Sequence, residues 1–425
     1  MKAAVVTMGC RVNQAESQSL RDQLSGAGFE LGEPMGADLV VLNTCSVTGR
    51  AEKEALSLLR RLRRQNSAGF LVAVGCLAQL SSQKLVGPEL AYLALGQEDK
   101  EKILAFVPKN FAPIISSSSR PSSPELDRQL FPTRTRALLK IQDGCSQGCS
   151  YCVVPLARGP SRSSPPEVAL ARLGQLLENY REVVLTGVHL GHYGLEKGLD
   201  LGQFLALIHK THGHKPNFRL RLSSLEPLEV GLVYEALNYG WLAPHIHAPL
   251  QSGSDKILKR MGRPYLRADY LTMAQELTAR FGPIALGADV LVGFPGETEE
   301  DFAATYDLLA NLPMSYLHVF PFSPRPGTLA ANWEPVAEPV KKYRVNLLKK
   351  LNDFKKAEFL KTQYPLKHLA LVENRLDAEG RARVLTGSYL KAVWAHPQNP
   401  PPNSLVWARL EPPDEPGLPP KAFPW

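Results

Sequence analysis

The chain has 425 residues, 44% hydrophobic and 21% charged, with a formal net charge of +8 and a pI near 9.1. That length supports two or three domains with real cores, and the composition is that of a soluble globular protein. No run approaches the ~18 apolar residues of a membrane span, and the apolar stretch Ala3 to Val6 is too short for a signal peptide, so the chain reads as cytoplasmic.

The first hundred residues alternate strand and helix signals. "KAAVVT" (2–7), "DLVVLN" (38–43) and "FLVAVG" (70–75) are Val-rich runs of the kind found in buried parallel strands. Between the last two, Ala55, Leu58, Leu59 and Leu62 form a helical stripe, with Lys53, Arg60, Arg61 and Arg64 on the other side. Residues 1–112 therefore read as a doubly wound α/β domain. Cys10, Cys45 and Cys76 each follow one of those strands, in "TMGC", "LNTC" and "AVGC". Parallel strands deliver their C-terminal ends to one edge of the sheet, where ligands bind, so three distant thiols converge there. A single such cysteine is more simply a small buried hydrophobe; three in register are not.

Residues 113–135 are Ser- and Pro-rich without apolar period and read as a linker. From 136 the alternation resumes, with strands predicted at 137–142, 182–187, 218–224, 245–250, 284–294 and 316–322 and helices at 166–179 and 299–311. Six β/α units over 136–362 imply a parallel sheet curled into an incomplete TIM-type barrel. The basic segment 340–361 predicts an amphipathic helix with Leu347, Leu351 and Phe354 on its apolar side, its cationic side being either solvated or RNA-facing. Residues 363–425 read as a small β module ending in an irregular Pro-rich tail.

The loop "DGCSQGCSYC" holds Cys145, Cys149 and Cys152. In a reducing compartment these are not disulfides. A structural zinc site wants four ligands, usually as two close pairs; His189, His192, His245 or His247 could supply a fourth. Three thiolates on a four-iron cluster leave one iron without a protein ligand, which makes that iron a reaction site.

C-x3-C-x2-C with Tyr151 before the last cysteine, after the first strand of a six-unit β/α array, resembles the signature of radical S-adenosylmethionine (SAM) enzymes. With "MGCRVNQAES", "VLNTCSVT" and "AVGCLAQ" upstream, the chain from about Met1 to Thr328 is similar to the methylthiotransferases. The resemblance implies two 4Fe-4S clusters, one held by Cys145, Cys149 and Cys152, where SAM yields a 5′-deoxyadenosyl radical, and one held by Cys10, Cys45 and Cys76. It implies a SAM pocket lined by Tyr151, by Thr186 and Gly187 of "LTG", by Ser223 and Glu226 of "SSLEP", by Gln251 of "LQSGS" and by Gly293 of "VGFPGET". Arg158, Arg263 and Asp289 are further candidates for SAM or substrate contacts, or for structural ion pairs.

"LKIQDGCSQGCSYCVVPLARG", "VVLTGVHLGHYG" and "RLRLSSLEP" are most similar to the branch that acts on threonylcarbamoyladenosine beside the tRNA anticodon. The branches acting on isopentenyladenosine or on a ribosomal-protein aspartate are the alternatives, and a metal-stabilised RNA-binding protein is the non-enzymatic one. The implied partners are the tRNA anticodon stem-loop and a reductant such as flavodoxin or ferredoxin, with the chain a monomer and no membrane involved. The family ends in a five-stranded RNA-binding β domain, TRAM. Here "TGSYLKAVW" resembles its core and "LVWARL" its last strand, but the stretch is short and interrupted by "HPQNPPPN".

Overall fold

A computed structural model describes residues 1–107, 135–415 and 417–425. The expected linker lies outside the described residues except for Thr135. Among the described residues no helix is long and apolar enough to cross a membrane.

The N-terminal sheet is parallel, in the order β2-β1-β3-β4-β5, with β1 at Lys2–Thr7, β2 at Glu30–Leu31, β3 at Leu39–Thr44, β4 at Phe70–Gly75 and β5 at Leu93–Leu95. Every residue of β3 is buried, as a central strand covered on both faces must be. Helix α1 (Arg11–Gly26) covers one face with Leu20 and Leu24. Helix α2 (Gly49–Gln65) covers the other with Ala55, Leu59 and Leu62, and starts where the Thr48 side chain accepts from the Ala51 N–H. Its Lys53, Arg60, Arg61 and Arg64 face solvent.

The central region is an arc of two three-stranded parallel sheets. β6 (Arg136–Lys140), β9 (Glu182–Thr186) and β10 (Arg219–Leu222) form one; β11 (His245–His247), β12 (Ala285–Val292) and β13 (Tyr316–Pro321) form the other. The seam is thin: Leu220 bonds Trp241 and Ala243 rather than β11 itself. The first strand stops at Lys140, short of the expected Gln142. Gln142–Asp143 (β7) turns away to pair antiparallel with Arg162–Ser163 (β8), framing the cysteine loop.

Period-2 alternation sorts these strands. Leu139, Leu185, Leu222, Ile246, Val290 and Leu317 pack outward against the helices. The opposite face carries Lys140, Glu182, Arg219, Arg221, His245, His247, Asp289, Tyr316 and His318 in the same alternation. The concave interior is thus largely polar. At its base Glu182 lies in register between Arg136 and Arg219. It accepts from Arg219 Nε at 2.6 Å and Arg221 Nε at 3.0 Å.

The basic helix spans Glu338–Gln363. Its buried stripe is Leu348, Leu351 and Phe359, and the expected Phe354 is 60% exposed. Two of its cations point inward: Arg344 pairs with Glu297 at 2.7 Å, and Lys341 pairs with Glu338. Lys355 is half-buried and donates to the carbonyls of Ala310 and Leu312, and the remaining Lys residues, including Lys349, Lys350 and Lys356, are exposed.

The C-terminal module corrects the sequence reading. It is a closed five-stranded barrel, β14-β15-β16-β18-β17, with β14 at His368–Leu376, β15 at Ala382–Thr386, β16 at Lys391–Trp394, β17 at Leu405–Glu411 and β18 at Lys421–Pro424. The last strand is not "LVWARL" but "KAFP", from the tail expected to be irregular. It pairs parallel with β16 and antiparallel with β17, and buries Ala422 in the core. Prolines hide it from any periodicity test, but a barrel closed by pairing removes the exposed edge. The "HPQNPPPN" insertion is a loop held by Asn399, whose Nδ2 donates to the Gly380 carbonyl.

Its β15–β16 turn plugs the base of the central arc. Arg219 donates to the carbonyls of Leu369 and Leu385, and Arg221 donates to Gly387 and Thr386. The Arg219, Arg221 and Arg136 guanidiniums outweigh burial and hold the Glu182 carboxyl below its ordinary 4.5, at about 2. A depressed folded pKa stabilises above the unfolded value, and that stability fades as pH falls from 4.5 through about 2. Glu182→Gln, which leaves buried guanidiniums uncompensated, is expected to cost about 3–5 kcal/mol at neutral pH. Denaturant melts should show the gap to wild type closing at acid pH.

Candidate cluster and cofactor site

Three strand ends of the N-terminal sheet present their cysteines at one edge. Cys10 caps α1 after β1, Cys45 follows β3, and Cys76 opens helix α3 (Cys76–Ser81) directly from β4. All six cysteines are free thiols. The approach between β1 and Cys45 depends on Gly9, whose φ is +88°. A Cβ there would stand 2.6 Å from Cys45 Cβ and 2.8 Å from its Sγ. Asn13 ties these ends together, its Nδ2 donating to the carbonyls of Met8 and Thr44 at 2.9 Å each. Gln97 Nε2 reaches Cys76 Sγ at 3.3 Å.

The second trio sits in the loop above the central arc, half-buried. This loop docks on the C-terminus of the helix Asp255–Met261, where Ser150 bonds the carbonyls of Met261 (from N) and Arg260 (from Oγ) at 2.9 Å each. Gly262, at φ +73°, permits the contact, because a Cβ would meet the Gly148 oxygen at 2.9 Å. Arg263 then donates to Cys149 Sγ at 3.1 Å and to Tyr151 Oη at 3.5 Å, and pairs with Glu226. Tyr151 packs edge-on to Phe294 with centroids 6.2 Å apart.

Of the four histidines weighed as a fourth ligand, only His189 meets this loop. Its Nδ1 lies 3.6 Å from Cys145 Sγ and its Nε2 lies 2.7 Å from Glu229. Burial opposes its charged form, but the Cys145 sulfur and the Glu229 carboxylate raise it to about 9. His192 stacks on His189. His245 and His247 lie in the barrel interior on Tyr316 Oη, 2.9 Å from each.

The other expected cofactor residues divide. Thr186, Gly187 and Ser223 sit together at the ends of β9 and β10, with Gly187 N 3.4 Å from Ser223 Oγ. Glu226 joins the Arg263 group, and burial lifts its carboxyl despite Arg263. Gln251, with φ +61°, bridges to Val290 of β12. Gly293 packs on the helix Glu338–Gln363: a Cβ there would strike the Lys341 stem at 2.2 Å, and its N–H donates to Glu297 at 2.8 Å. Asp289 accepts from His247 at 3.0 Å and His318 at 3.2 Å, and these three could hold a metal ion.

Arg158, a candidate for SAM or substrate, joins the two cysteine sets instead. It ends the helix Val154–Arg158 that follows the cysteine loop. It donates to Glu16 at 2.7 and 3.1 Å, Asn13 Oδ1 at 2.7 Å and Asp143 at 2.9 Å. Lys140 and Lys100 also pair with Glu16, at 3.0 and 2.7 Å. Although burial opposes it, the cations hold the Glu16 carboxyl far below the usual range. Asn13 and Glu16 carry no signal in the sequence. "NQAES" lies in a helical stretch where polar residues look solvated, and nothing local says that the helix face is covered by another domain.

The donor set fits iron–sulfur clusters. Burial pushes the thiols of Cys45 and Cys149 up, that of Cys76 to about 11 and that of Cys152 to about 12. Thiolates there need strong local positive charge, which metal ions provide. Buried polar atoms of Ser46, Gln147 and Thr186 beside the two sets lack a hydrogen-bond partner among the described residues. Gly9→Ala, strained and in collision with Cys45, is expected to halve the iron bound, from about eight to about four per chain if two four-iron clusters form. Iron analysis of anaerobically reconstituted protein checks this.

Residues 2–94 match the family described as Uncharacterized protein family UPF0004, and residues 139–309 match the Radical SAM superfamily. Threonylcarbamoyladenosine tRNA methylthiotransferase MtaB of Bacillus subtilis is 36% identical over 91% of this chain and 89% of its own length. The Aquifex aeolicus protein of the same name is 35% identical over 89% of this chain and 95% of its own. tRNA-2-methylthio-N(6)-dimethylallyladenosine synthase of Neorickettsia sennetsu is 32% identical over 85% and 80%. Among solved structures, the radical S-adenosylmethionine methyltransferase TsrM from Kitasatospora setae superposes with a TM-score of 0.53 at 14% identity, covering 78% of this chain and 75% of that one. That likeness concerns the fold.

Proposed function

The chain belongs to the radical SAM tRNA methylthiotransferases, and on that premise we propose that it forms 2-methylthio-N6-threonylcarbamoyladenosine beside the tRNA anticodon. The observation that carries this reading is the joining of two cysteine trios, one at each domain's strand ends, by the Arg158–Asn13–Glu16 contacts. Inserting sulfur at an unactivated C–H needs one centre to remove hydrogen and a second to deliver sulfur, both facing one substrate. When bound, two 4Fe-4S clusters and SAM supply the hydrogen abstraction, the sulfur and the methyl group.

The chain's residues hold and orient these groups. Cys145, Cys149 and Cys152 take one cluster; Cys10, Cys45 and Cys76 take the other. Tyr151, steered by Arg263 and Phe294, would hold the adenine of SAM, and Thr186, Gly187, Ser223, Glu226 and Gln251 would hold the rest of it. The Arg158 guanidinium keeps Asn13 and Glu16 in place, which fixes the separation of the two sites. Gly293 lets its loop close on Lys341 and Glu297 at the edge of that site.

Transfer RNA binds along the exposed cations of α2 and of the helix Glu338–Gln363, and on the C-terminal barrel. There Lys367 lies 4.5 Å and 5.7 Å from the exposed rings of Trp407 and Trp425, a platform of the kind that stacks unpaired bases. Affinity falls steeply with added salt. A flavodoxin- or ferredoxin-type reductant supplies electrons, and the chain acts as a cytoplasmic monomer.

The Cys10/Cys45/Cys76→Ala triple variant is expected to keep SAM cleavage and about four irons while losing methylthio transfer. Cys145→Ala is expected to lose both activities. Mass spectrometry of tRNA nucleosides from cells lacking the gene tests the substrate: loss of the isopentenyl derivative instead of the threonylcarbamoyl one would overturn it.

A further inference from the structure

A cavity of about 190 Å³ opens where the three parts of the chain meet. Arg11 and Gln14 of α1, Arg136 and Val184 of the central arc, and Glu373 and Tyr389 of the C-terminal barrel line it. Ligand pockets usually measure ~300–1,000 Å³, so this one takes a side group rather than a whole nucleoside.

Its walls are cationic. Arg11 Nη2 and Arg136 Nη1 both donate to Tyr389 Oη, at 2.9 and 3.0 Å. Arg221 lies over the same ring, 4.3 Å from its centroid. In the lining itself half-buried Arg11 and Arg136 face the single carboxylate of Glu373, while Arg219 and Arg221 are fully buried on Glu182 and on carbonyls of the C-terminal barrel. Glu182 is already committed to three guanidiniums. Half-buried cations left in excess favour an anion, and paired Arg forks suit a carboxylate. Tyr389 is held at φ +68°, outside the ordinary range for a non-glycine residue, at the tip of the plugging turn. The cavity is also next to the reaction site. Arg11 is the neighbour of Cys10, and Leu138 and Val184 of its floor lie two residues below Lys140 and Thr186 on the same inward face.

Resting on the threonylcarbamoyl reading above, we infer that this cavity receives the carboxylate of the N6-threonylcarbamoyl group, with Arg11 and Arg136 as its donors and Tyr389 setting their positions. An isopentenyl group offers these guanidiniums no acceptor beyond the Tyr389 hydroxyl they already share, so the cavity selects for the acid.

The test uses the full-length, cluster-loaded enzyme and three anticodon stem-loops: one with threonylcarbamoyladenosine, one with its methyl ester and one unmodified. Wild type is expected to bind the acid about tenfold to a hundredfold more tightly than the ester, the range of a charge-assisted hydrogen bond. Arg11→Gln and Arg136→Gln should reduce that ratio towards one. Tyr389→Phe keeps the stacked ring and should reduce it partly, which covers the case where an arginine variant does not fold. An undiminished ratio in the folded variants would overturn the inference while leaving the proposed substrate intact. Equal weakening of all three stem-loops would reassign the cavity to an RNA phosphate. Failure of wild type to methylthiolate the acid stem-loop would instead remove the substrate reading on which the inference rests.

Discussion

One buried guanidinium holds the two halves of this protein in relation to each other. Arg158 emerges six residues after Cys152, crosses to α1 and meets Asn13 and Glu16 three and six residues after Cys10. Asn13 in turn grips the carbonyls that precede Cys10 and Cys45. The chain from one cysteine set to the other is therefore short, charged and fully hydrogen-bonded. A buried charge pair is a poor source of net stability, but breaking one partner is costly. Such a link suits a function that requires two centres at a set separation more than it requires a stable interface.

The same logic extends through the concave side of the central arc. Its strands point leucines and valines outward into helices and arginines, histidines and carboxylates inward. A barrel interior of this kind persists because most of its charged groups find partners, some of them from the other domains. Arg219 and Arg221 complete their hydrogen bonds on carbonyls of the C-terminal barrel. The C-terminal barrel is thus also the floor of the central arc, with Tyr389 on the turn that fills it.

Much of this was legible in the residues. The helix 166–179 and the helix 299–311 fell at their expected positions, because Pro166 and the Thr298–Asp301 capping box mark their starts. Strands were recognisable from aliphatic runs. What failed was a strand with no such run, "KAFP", and a stripe misplaced by its heaviest residue, Phe354, which turned to solvent. The buried partners Glu16, Asn13, Lys341 and Arg344 read locally as surface residues, because periodicity reports which face is apolar and not which polar face another domain will cover.

The sequence alone determined the chemistry available: six thiols in two spacings, each placed after a strand whose end a parallel sheet must deliver to one edge. Those are local covalent and geometric facts, fixed by chain order and by the period of the strands. Only the tertiary structure decided which charges would be neutralised and which left over, because pairing between Arg158 and Glu16, or Arg136 and Tyr389, joins residues more than a hundred positions apart. Long-range electrostatic pairing depends on distance in space, and no short-range pattern encodes it.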